Sequence, residues 1–180
     1  MNDCGNIETA PFVPLVEALG KKAAQWREEG LAVVLCHGCF DPFHPGHLVH
    51  FREAKRLGDR LIVTITHDYH VRRQKGPPRP FFSHDLRLAV IAEMRLVDGA
   101  AISPWSTAVE VLEIIRPGLY VKGADYLVPH KNSEALRREM ATLERHGGRM
   151  AYTGGLHFSS TRIMHEAWRS SPGPGNDGGE

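Results

Sequence analysis

Short apolar runs alternate with helix-like segments along most of this chain, and the alternation limits the fold more than any other feature. The run 60–66 is rich in β-branched residues, which favour strands, and further short runs occur at 32–36, 99–102, 119–121 and 149–152. Strand–helix alternation with short connections is typical of a parallel sheet with right-handed crossovers. The sequence therefore predicts an α/β fold, a Rossmann-like, doubly wound parallel sheet of about five strands with helices on both faces.

Helix signals fill the intervals between the predicted strands. Gly30 provides a stop for the first helix, and Ser83 provides an N-cap for the third. Ser106 or Thr107 is expected to cap the fourth helix. The segment 69–80 is basic and rich in proline, and it is predicted as a loop. The predicted helices are 12–29, 48–57, 84–94, 108–115, 134–146 and 160–168.

Length and composition indicate one domain with loose ends. A chain of 180 residues is long enough for a full hydrophobic core. The tail 170–180 contains glycine, proline and polar residues without a large apolar side chain, so we expect it to be disordered. The expected division is an N-terminal extension and helix over 1–30, one α/β domain over 31–169 and the disordered tail.

Charge and cysteine content argue against several classes of protein. A net charge of +1 gives no electrostatic basis for binding nucleic acid. No apolar stretch approaches the ~20 residues that a membrane span needs, and residues 1–9 lack the basic and apolar regions of a secretory signal. Three cysteines cannot all pair, which favours a reducing cytoplasm.

Two histidines follow the first predicted strand, in the segment His44-Pro45-Gly46-His47. Gly38 and Pro42 break the strand before them, and a helix is predicted after them. Open α/β sheets bind ligands outside the carboxyl ends of their strands. A helix start offers backbone N–H groups and a positive dipole end to a phosphate. We therefore expect the two imidazoles to donate hydrogen bonds to phosphate oxygens at this turn.

Four motifs occur in a fixed order, and together they resemble the cytidylyltransferase-like family of nucleotidyltransferases, which carries an H-x-G-H motif. The resemblance covers residues 31–164, so that 31–169 is identified as a nucleotidyltransferase domain. It is most similar to the nucleotidyltransferase domain of the ADP-heptose synthases, a heptose 1-phosphate adenylyltransferase. The motifs are Gly38-Cys39-Phe40-Asp41 before the histidine segment, Lys75-Gly76-Pro77-Pro78-Arg79-Pro80, Val121-Lys122-Gly123-Ala124-Asp125-Tyr126, and Phe158-Ser159-Ser160-Thr161-Arg162-Ile163.

The resemblance implies transfer of a nucleoside monophosphate, with AMP favoured, from a nucleoside triphosphate to a sugar phosphate such as heptose 1-phosphate, releasing pyrophosphate. The acceptor phosphate attacks in line without a covalent enzyme intermediate, so the enzyme has to position two polyanions and stabilise charge on the α-phosphate. Mg²⁺ is the implied cofactor, because it neutralises triphosphate charge. The implied partners are the triphosphate and a phosphorylated small-molecule acceptor, and a homodimer is left open.

The resemblance also implies roles for individual residues. His44 and His47 contact the triphosphate, and Asp41 orients a histidine or a magnesium-bound water. Arg87 and Arg95 are predicted on one helix face, about two turns apart, within reach of an anion. The expected catalytic residues are His44, His47, Lys75 and Arg87, and the expected nucleotide-binding residues are Gly38, Cys39, Phe40, Asp41, Gly46, Arg95, Lys122, Gly123, Asp125, Tyr126, Ser159, Ser160 and Thr161.

Three alternatives can be weighed from the residues. Cys36-x-x-Cys39 with His44-x-x-His47 has the residue types of a zinc site, but the gap between the pairs is far shorter than in zinc fingers, so no protein metal site is predicted. A nucleotide-sensing module without turnover would release no pyrophosphate. A cytidylyltransferase acting on glycerol phosphate, another polyol phosphate or a phosphonate is the alternative enzyme, and Gly154 stands where glycerol-phosphate cytidylyltransferases carry an arginine.

Overall fold

The computed structural model describes residues 15–123, 126 and 134–154, which form a five-stranded sheet flanked by helices. The strands are β1 Val33–Gly38, β2 Arg60–Thr66, β3 Gly99–Ser103, β4 Leu119–Gly123 and β5 Arg149–Thr153. The described helices are α1 Val16–Glu28, α2 Pro45–Lys55, α3 Asp68–Lys75, α4 His84–Ala92, α5 Val109–Ile115 and α6 Glu134–Arg145. All neighbouring strands are parallel, in the order β3-β2-β1-β4-β5. The predicted α/β fold is confirmed.

Side chains alternate along each strand, so the sheet has one apolar core on each face. On β1, Val33 and Leu35 face one core and Val34 and Cys36 face the other, and all four are buried. α1, α5 and α6 contribute to the first core, and α2 and α4 contribute to the second. Burial on both faces explains why the strands are continuous apolar runs in the sequence.

The strands extend further toward their carboxyl ends than the apolar runs predict. β2 has the predicted bounds, whereas the other four strands continue for one or two residues beyond the predicted 36, 102, 121 and 152. The additional residues include His37, Ser103, Lys122 and Thr153, which are polar and end the apolar pattern although they still form strand hydrogen bonds. These polar side chains line the carboxyl edge of the sheet.

Residues 68–75 form α3, so the predicted loop over 69–80 is wrong in its first half. Nδ1 of His67 accepts a hydrogen bond from the N–H of Tyr69 (3.2 Å) and caps the helix. The helix ends at Gly76, whose φ of 69° glycine adopts without strain. Val71 is the one buried residue of α3, so the segment has no apolar stripe from which a helix could be predicted.

α5 begins after Ala108, which has no capping side chain, so the cap lies one residue later than predicted, and the hydroxyl of the predicted Thr107 accepts a 3.5 Å hydrogen bond from the N–H of Val109. The N–H of Ala108 at its start donates to the carboxylate of Glu139 on α6 (2.9 Å). A carboxylate from a neighbouring helix thus supplements the long local bond to Thr107. The cap predicted at Ser83 is confirmed, because its hydroxyl accepts a hydrogen bond from the N–H of Leu86 (3.4 Å).

α1 packs on the domain and completes one of its cores. Leu19, Ala23 and Trp26 are buried in the core that α5 also lines, and Gly30 follows the helix with a φ of 77°. The start of this predicted helix, the predicted helix 160–168 and the tail 170–180 lie outside the described residues. Within the described ranges, no helix has the length and apolar character needed to cross a membrane.

Asp98 anchors the amino edge of the sheet, away from the polar edge. Its carboxylate accepts hydrogen bonds from the N–H of Leu61 (2.8 Å), the ammonium of Lys55 (2.6 Å) and the guanidinium of Arg60 (3.1 Å). We predict that Asp98→Ala lowers the free energy of unfolding by about 2–3 kcal/mol, because a partly buried N–H and two cations lose their acceptor. Chemical denaturation measures the change. Glu93→Ala, at the exposed end of α4, is the control and should cost less than about 0.5 kcal/mol; equal losses in both variants would contradict this role.

Candidate active site

The turn after β1 brings His44 and His47 together at the carboxyl edge of the sheet. α2 begins at Pro45 rather than at the predicted residue 48, so the histidine segment forms the first turn of the helix. The two rings stack with centroids 3.7 Å apart and an interplanar angle of 17°. β1 lies beside β4, where the growth of the sheet reverses direction. The pair therefore occupies the position where open α/β sheets bind ligands.

A backbone hydrogen bond determines which nitrogen of His47 carries the proton. The N–H of His44 donates to Nδ1 of His47 (3.3 Å), so the neutral ring holds its proton on Nε2. Burial, followed by the nearby His44, His50 and Lys75, lowers the pKa of His47 to about 3. Burial also lowers the pKa of His44. Both imidazoles are consequently neutral at pH 7, and they can act as directional hydrogen-bond donors rather than as cations.

Phe40 and Gly38 give the turn its shape. Phe40 has a φ of 50°, which is uncommon outside glycine, and its ring packs edge-on against His47 and Phe51 with centroids 5.3 and 4.9 Å apart. A Cβ on Gly38 would lie 3.1 Å from the Phe40 ring, so glycine permits this close packing. Gly46 lies in the first turn of α2. Contact of these residues with a nucleotide stays a prediction.

Asp41 binds the loop before α4 instead of a histidine or a magnesium-bound water, which corrects the expected role. Its carboxylate accepts hydrogen bonds from the N–H groups of Phe81 (2.9 Å) and Phe82 (3.0 Å) and from the guanidinium of Arg79 (3.1 Å). Arg79 also donates to the backbone carbonyl of Asp41. Asp41 is 1% exposed. Its carboxylate therefore fastens the turn after β1 to the loop before α4.

Arg87 is buried at the same junction. Its guanidinium donates to the carbonyl oxygens of Cys39 (2.6 Å), Thr66 (2.9 Å) and Phe82 (3.0 Å). It also pairs with the carboxylate of Asp68 at 2.6 Å, and its side chain is 1% exposed. These bonds tie the ends of β1 and β2 to α4. The geometry supports a positioning role for Arg87 in place of the expected contact with the triphosphate.

Arg95 lies at the opposite edge of the sheet, so the prediction that it shares an anion site with Arg87 is wrong. α4 ends at Ala92, and Arg95 is an exposed residue in the turn that leads into β3. A helix that follows a parallel strand runs back toward the amino edge, where the next strand begins. Because α4 ends before Arg95, Arg87 and Arg95 do not share a helix face, and the prediction depended on that shared face.

Lys75 is the cation that α3 brings to the histidine pair. It is exposed in the last turn of α3, and its charge contributes to the lowered pKa of His47 after burial and the two neighbouring histidines. Arg72 lies one turn earlier on the same helix. A cavity of about 230 Å³ adjoins this helix and is lined by Arg72, Pro77, Pro78, Arg79 and Pro80. The proline-rich segment thus forms one wall of this cavity, Arg72 supplies a cation from α3, and the charge of Arg79 is paired with Asp41.

Lys122 lies across the switch point, near the end of β4. Its ammonium is 3.4 Å from the carboxylate of Glu139 and lies 4.8 and 4.7 Å from the ring centroids of Tyr120 and Tyr126. Burial lowers the pKa of Lys122, although Glu139 opposes the shift. Gly123 ends the strand. Four further predicted binding residues, Asp125, Ser159, Ser160 and Thr161, lie outside the described residues.

The cysteines and histidines near the turn do not converge on a common point. Cys36 is buried in the core, and burial raises the pKa of its thiol. Cys39 is half-buried, and its carbonyl accepts the hydrogen bond from Arg87. Residues 15–123, 126 and 134–154 contain no group of three histidine, cysteine, aspartate or glutamate side chains that could hold a metal ion.

Sequence reasoning assigned no role to three residues at this edge: His37, Arg79 and Glu139. Glu139 lies on the apolar face of α6, between the buried Leu136 and Leu143. A charged residue on an apolar helix face is uncommon, so the sequence alone could have marked Glu139 as a candidate functional residue. Arg79 belongs to a quoted motif, but its bond to the turn depends on the tertiary fold. His37 shares a hydrogen bond with a threonine of β2 (2.9 Å), and burial and Lys122 lower its pKa to about 3; no local signal predicts this.

Residues 35–166 match the family model described as cytidylyltransferase-like. The chain belongs to the cytidylyltransferase-like family. The family predicted from the ordered motifs is confirmed.

Two relatives and one solved structure extend the comparison. The chain is 41% identical to the bifunctional protein HldE of Gluconobacter oxydans over 165 residues, which cover 92% of this chain and 33% of that protein. It is 42% identical to HldE of Azorhizobium caulinodans over 108 residues, covering 60% of this chain and 22% of that protein. The crystal structure of a lipopolysaccharide core biosynthesis protein from Thermoplasma volcanium superposes with a TM-score of 0.60 at 26% identity, covering 71% of this chain and 99% of that one. The chain spans a third or less of the length of these HldE relatives.

Lys75 and Arg95 should differ sharply in their effect on triphosphate binding. We predict that Lys75→Ala raises KM for the triphosphate about tenfold, because one phosphate–ammonium contact is lost beside the histidine pair. Arg95→Ala removes an equal charge at the far edge of the sheet and should leave KM within about twofold of the wild-type value. Steady-state kinetics on both variants measures the contrast. A larger effect of Arg95→Ala than of Lys75→Ala would overturn this placement of the site.

Proposed function

We propose that this domain is an adenylyltransferase that transfers AMP from ATP to the phosphate of heptose 1-phosphate and releases pyrophosphate. The observation that carries the proposal is the stacked pair of His44 and His47 at the N-terminus of α2, at the carboxyl edge between β1 and β4. The helix start contributes a positive dipole end and the N–H of Gly46, since Pro45 has no N–H and His47 donates to the carbonyl of His44 (2.9 Å). The neutral rings add directional donors to that anion site.

The choice of acceptor is supported by the proteins that the chain is similar to. The motifs resemble those of the heptose 1-phosphate adenylyltransferases, and 92% of the chain aligns with one HldE protein. The neighbour from Thermoplasma volcanium is named as a lipopolysaccharide core biosynthesis protein. Both similarities favour an acceptor from carbohydrate synthesis over a polyol phosphate or a phosphonate.

The reaction needs positioning and charge stabilisation, because the acceptor phosphate is already a nucleophile. Its oxygen forms a bond to the α-phosphorus of ATP while the bond to the β-phosphate oxygen breaks, and the electron pair leaves with pyrophosphate. Nε2–H of His47 can donate to charge that develops on these oxygens. The ring needs little reorganisation to do so, because the N–H of His44 already holds Nδ1. Lys75 and Lys122 supply positive charge from α3 and β4.

Mg²⁺ is proposed to arrive with the triphosphate as part of the substrate. This ion prefers oxygen ligands and keeps several waters. The carboxylate of Asp41 is already occupied by Arg79 and by two backbone N–H groups. No three-ligand cluster occurs in the described part of the chain. These residues therefore do not fit a resident metal ion, and phosphate oxygens are the ligands that the proposal assigns to it.

The reaction is proposed to take place in the cytoplasm. Cys36 and Cys39 are both free thiols in the structure. Free thiols are maintained in reducing compartments, which supports this location.

The histidine pair should be essential for turnover. We predict that His44→Ala and His47→Ala each lower kcat/KM by about 10²- to 10³-fold, because a preorganised donor to the developing charge is lost. Pyrophosphate release from ATP and heptose 1-phosphate measures the rate, and thermal unfolding checks the fold. His146→Ala is the control, since that ring pairs with Glu113 (2.6 Å) after the end of α6. Near-wild-type rates in the first two variants would remove the pair from the site.

The substrate pair is tested by pyrophosphate release in a matrix of triphosphates and acceptors. ATP, CTP, GTP and UTP are each combined with heptose 1-phosphate, glycerol phosphate, ribitol phosphate and a phosphonate. We expect the highest kcat/KM with ATP and heptose 1-phosphate. The highest value with CTP and glycerol phosphate would replace the proposal with a cytidylyltransferase. Nucleotide binding without pyrophosphate release from any pair would indicate a nucleotide-sensing module.

A further inference from the structure

A buried carboxylate on α6 holds the cation at the end of β4. Glu139 and Lys122 are 5% and 6% exposed, and their charged groups are 3.4 Å apart. Lys122 shares its sheet face with Tyr120, on the side covered by α5 and α6. The two histidines of the α2 turn approach the same edge from the opposite face. The ion pair therefore lies beneath the proposed nucleotide site without belonging to the histidine turn.

The carboxylate of Glu139 is itself fixed by neutral donors. One oxygen accepts the N–H of Ala108 (2.9 Å), and the other accepts the hydroxyl of Tyr120 (3.1 Å) and faces Lys122. Burial alone would raise the pKa of Glu139, but Lys122 and the Ala108 N–H outweigh it and the pKa is lowered. The carboxylate is thus charged and held in one orientation toward the ammonium.

Glu139 is the one charged counter-group that the described residues present to Lys122. The other titratable groups near the ammonium are His37 and Cys36 on β1, Cys39 after β1, Tyr120 on β4 and Tyr126 after β4. Burial keeps His37 neutral with a pKa of about 3, and it raises the pKa of the Cys36 thiol and the Tyr120 hydroxyl. A buried ammonium without a counter-charge loses its proton more easily, so Lys122 depends on Glu139 for its charge.

We propose that Glu139 is a positioning residue for nucleotide binding, which fixes the ammonium of Lys122 at the carboxyl edge of β4 so that it can meet an anionic oxygen of ATP. This inference rests on the proposed function, because it takes Lys122 as a nucleotide-binding residue. Glu139 joins α6, the start of α5 and the end of β4 in one contact. Glu139 therefore affects nucleotide binding only by holding the ammonium of Lys122.

The test is equilibrium binding of Mg·ATP to the full chain from about pH 7 up to the ordinary lysine pKa of about 10.4, because burial lowers the pKa of Lys122 below that value. Glu139→Gln keeps an oxygen that can accept the Ala108 N–H but removes the charge. We expect it to weaken ATP binding about tenfold at pH 8.5 and to move the alkaline midpoint of binding down by about one pH unit. Lys122→Met should bind ATP weakly and lose the part of the alkaline transition that depends on Lys122, and Glu139→Gln should then have no added effect in that background.

Glu144→Gln is the matched control, because it makes the same chemical change on an exposed position of α6. It should reproduce the wild-type binding curve at every pH. Where Glu139→Gln does not fold, Glu139→Asp retains the charge at a greater distance and should shift the midpoint in the same direction by a smaller amount. An unchanged midpoint in the folded Glu139 variant, or a Lys122→Met variant that reproduces the wild-type binding curve, would overturn the inference. Absence of ATP binding by the wild-type chain would overturn the proposed function instead.

Discussion

The geometry of the site depends on two buried charged side chains that bond to backbone. Asp41 receives the N–H groups of Phe81 and Phe82, and Arg87 donates to the carbonyl oxygens of Cys39, Thr66 and Phe82. Irregular turns leave backbone groups unpaired, and burying them without partners costs free energy. These side chains supply the partners where strands end and no ladder continues. The turn after β1 is thereby rigid enough to present two stacked imidazoles.

Directional hydrogen bonds and positive charge come from different residues of the site. The rings of His44 and His47 are neutral because burial lowers their pKa values, so their hydrogen bonds have fixed geometry while the rings themselves carry no net charge. Positive charge comes from Lys75 on α3, and Lys122 on β4 adds an ammonium that is paired with Glu139. Two like-charged imidazoles with centroids 3.7 Å apart would repel each other in a site of low dielectric. Neutral rings flanked by lysines avoid that cost and still attract a polyphosphate.

The local pattern of apolar residues was sufficient to predict the strands of the sheet. It was insufficient to predict the contacts at the junctions between strands and helices. β2 could be predicted to the residue because its apolar run and its strand hydrogen bonds end together, and the histidine turn was recognisable from its position after β1. α3 could not be predicted, since Val71 is its one buried side chain. The cap of α5 by Glu139 and the bonds of Arg87 join residues that are far apart in the chain. Such contacts follow from the packing of helices on the sheet, and no periodicity encodes them.

The central claim is that His47 is a neutral donor, protonated on Nε2, that meets the phosphates of the nucleotide. Nitrogen NMR of the ring, followed across pH with and without ATP, tests this directly. The structure predicts a neutral Nε2–H ring at pH 7 with a pKa of about 3, and a shift of the Nε2 resonance when ATP binds. A ring that titrates at its ordinary value, near 6.5, and does not respond to ATP would contradict the claim.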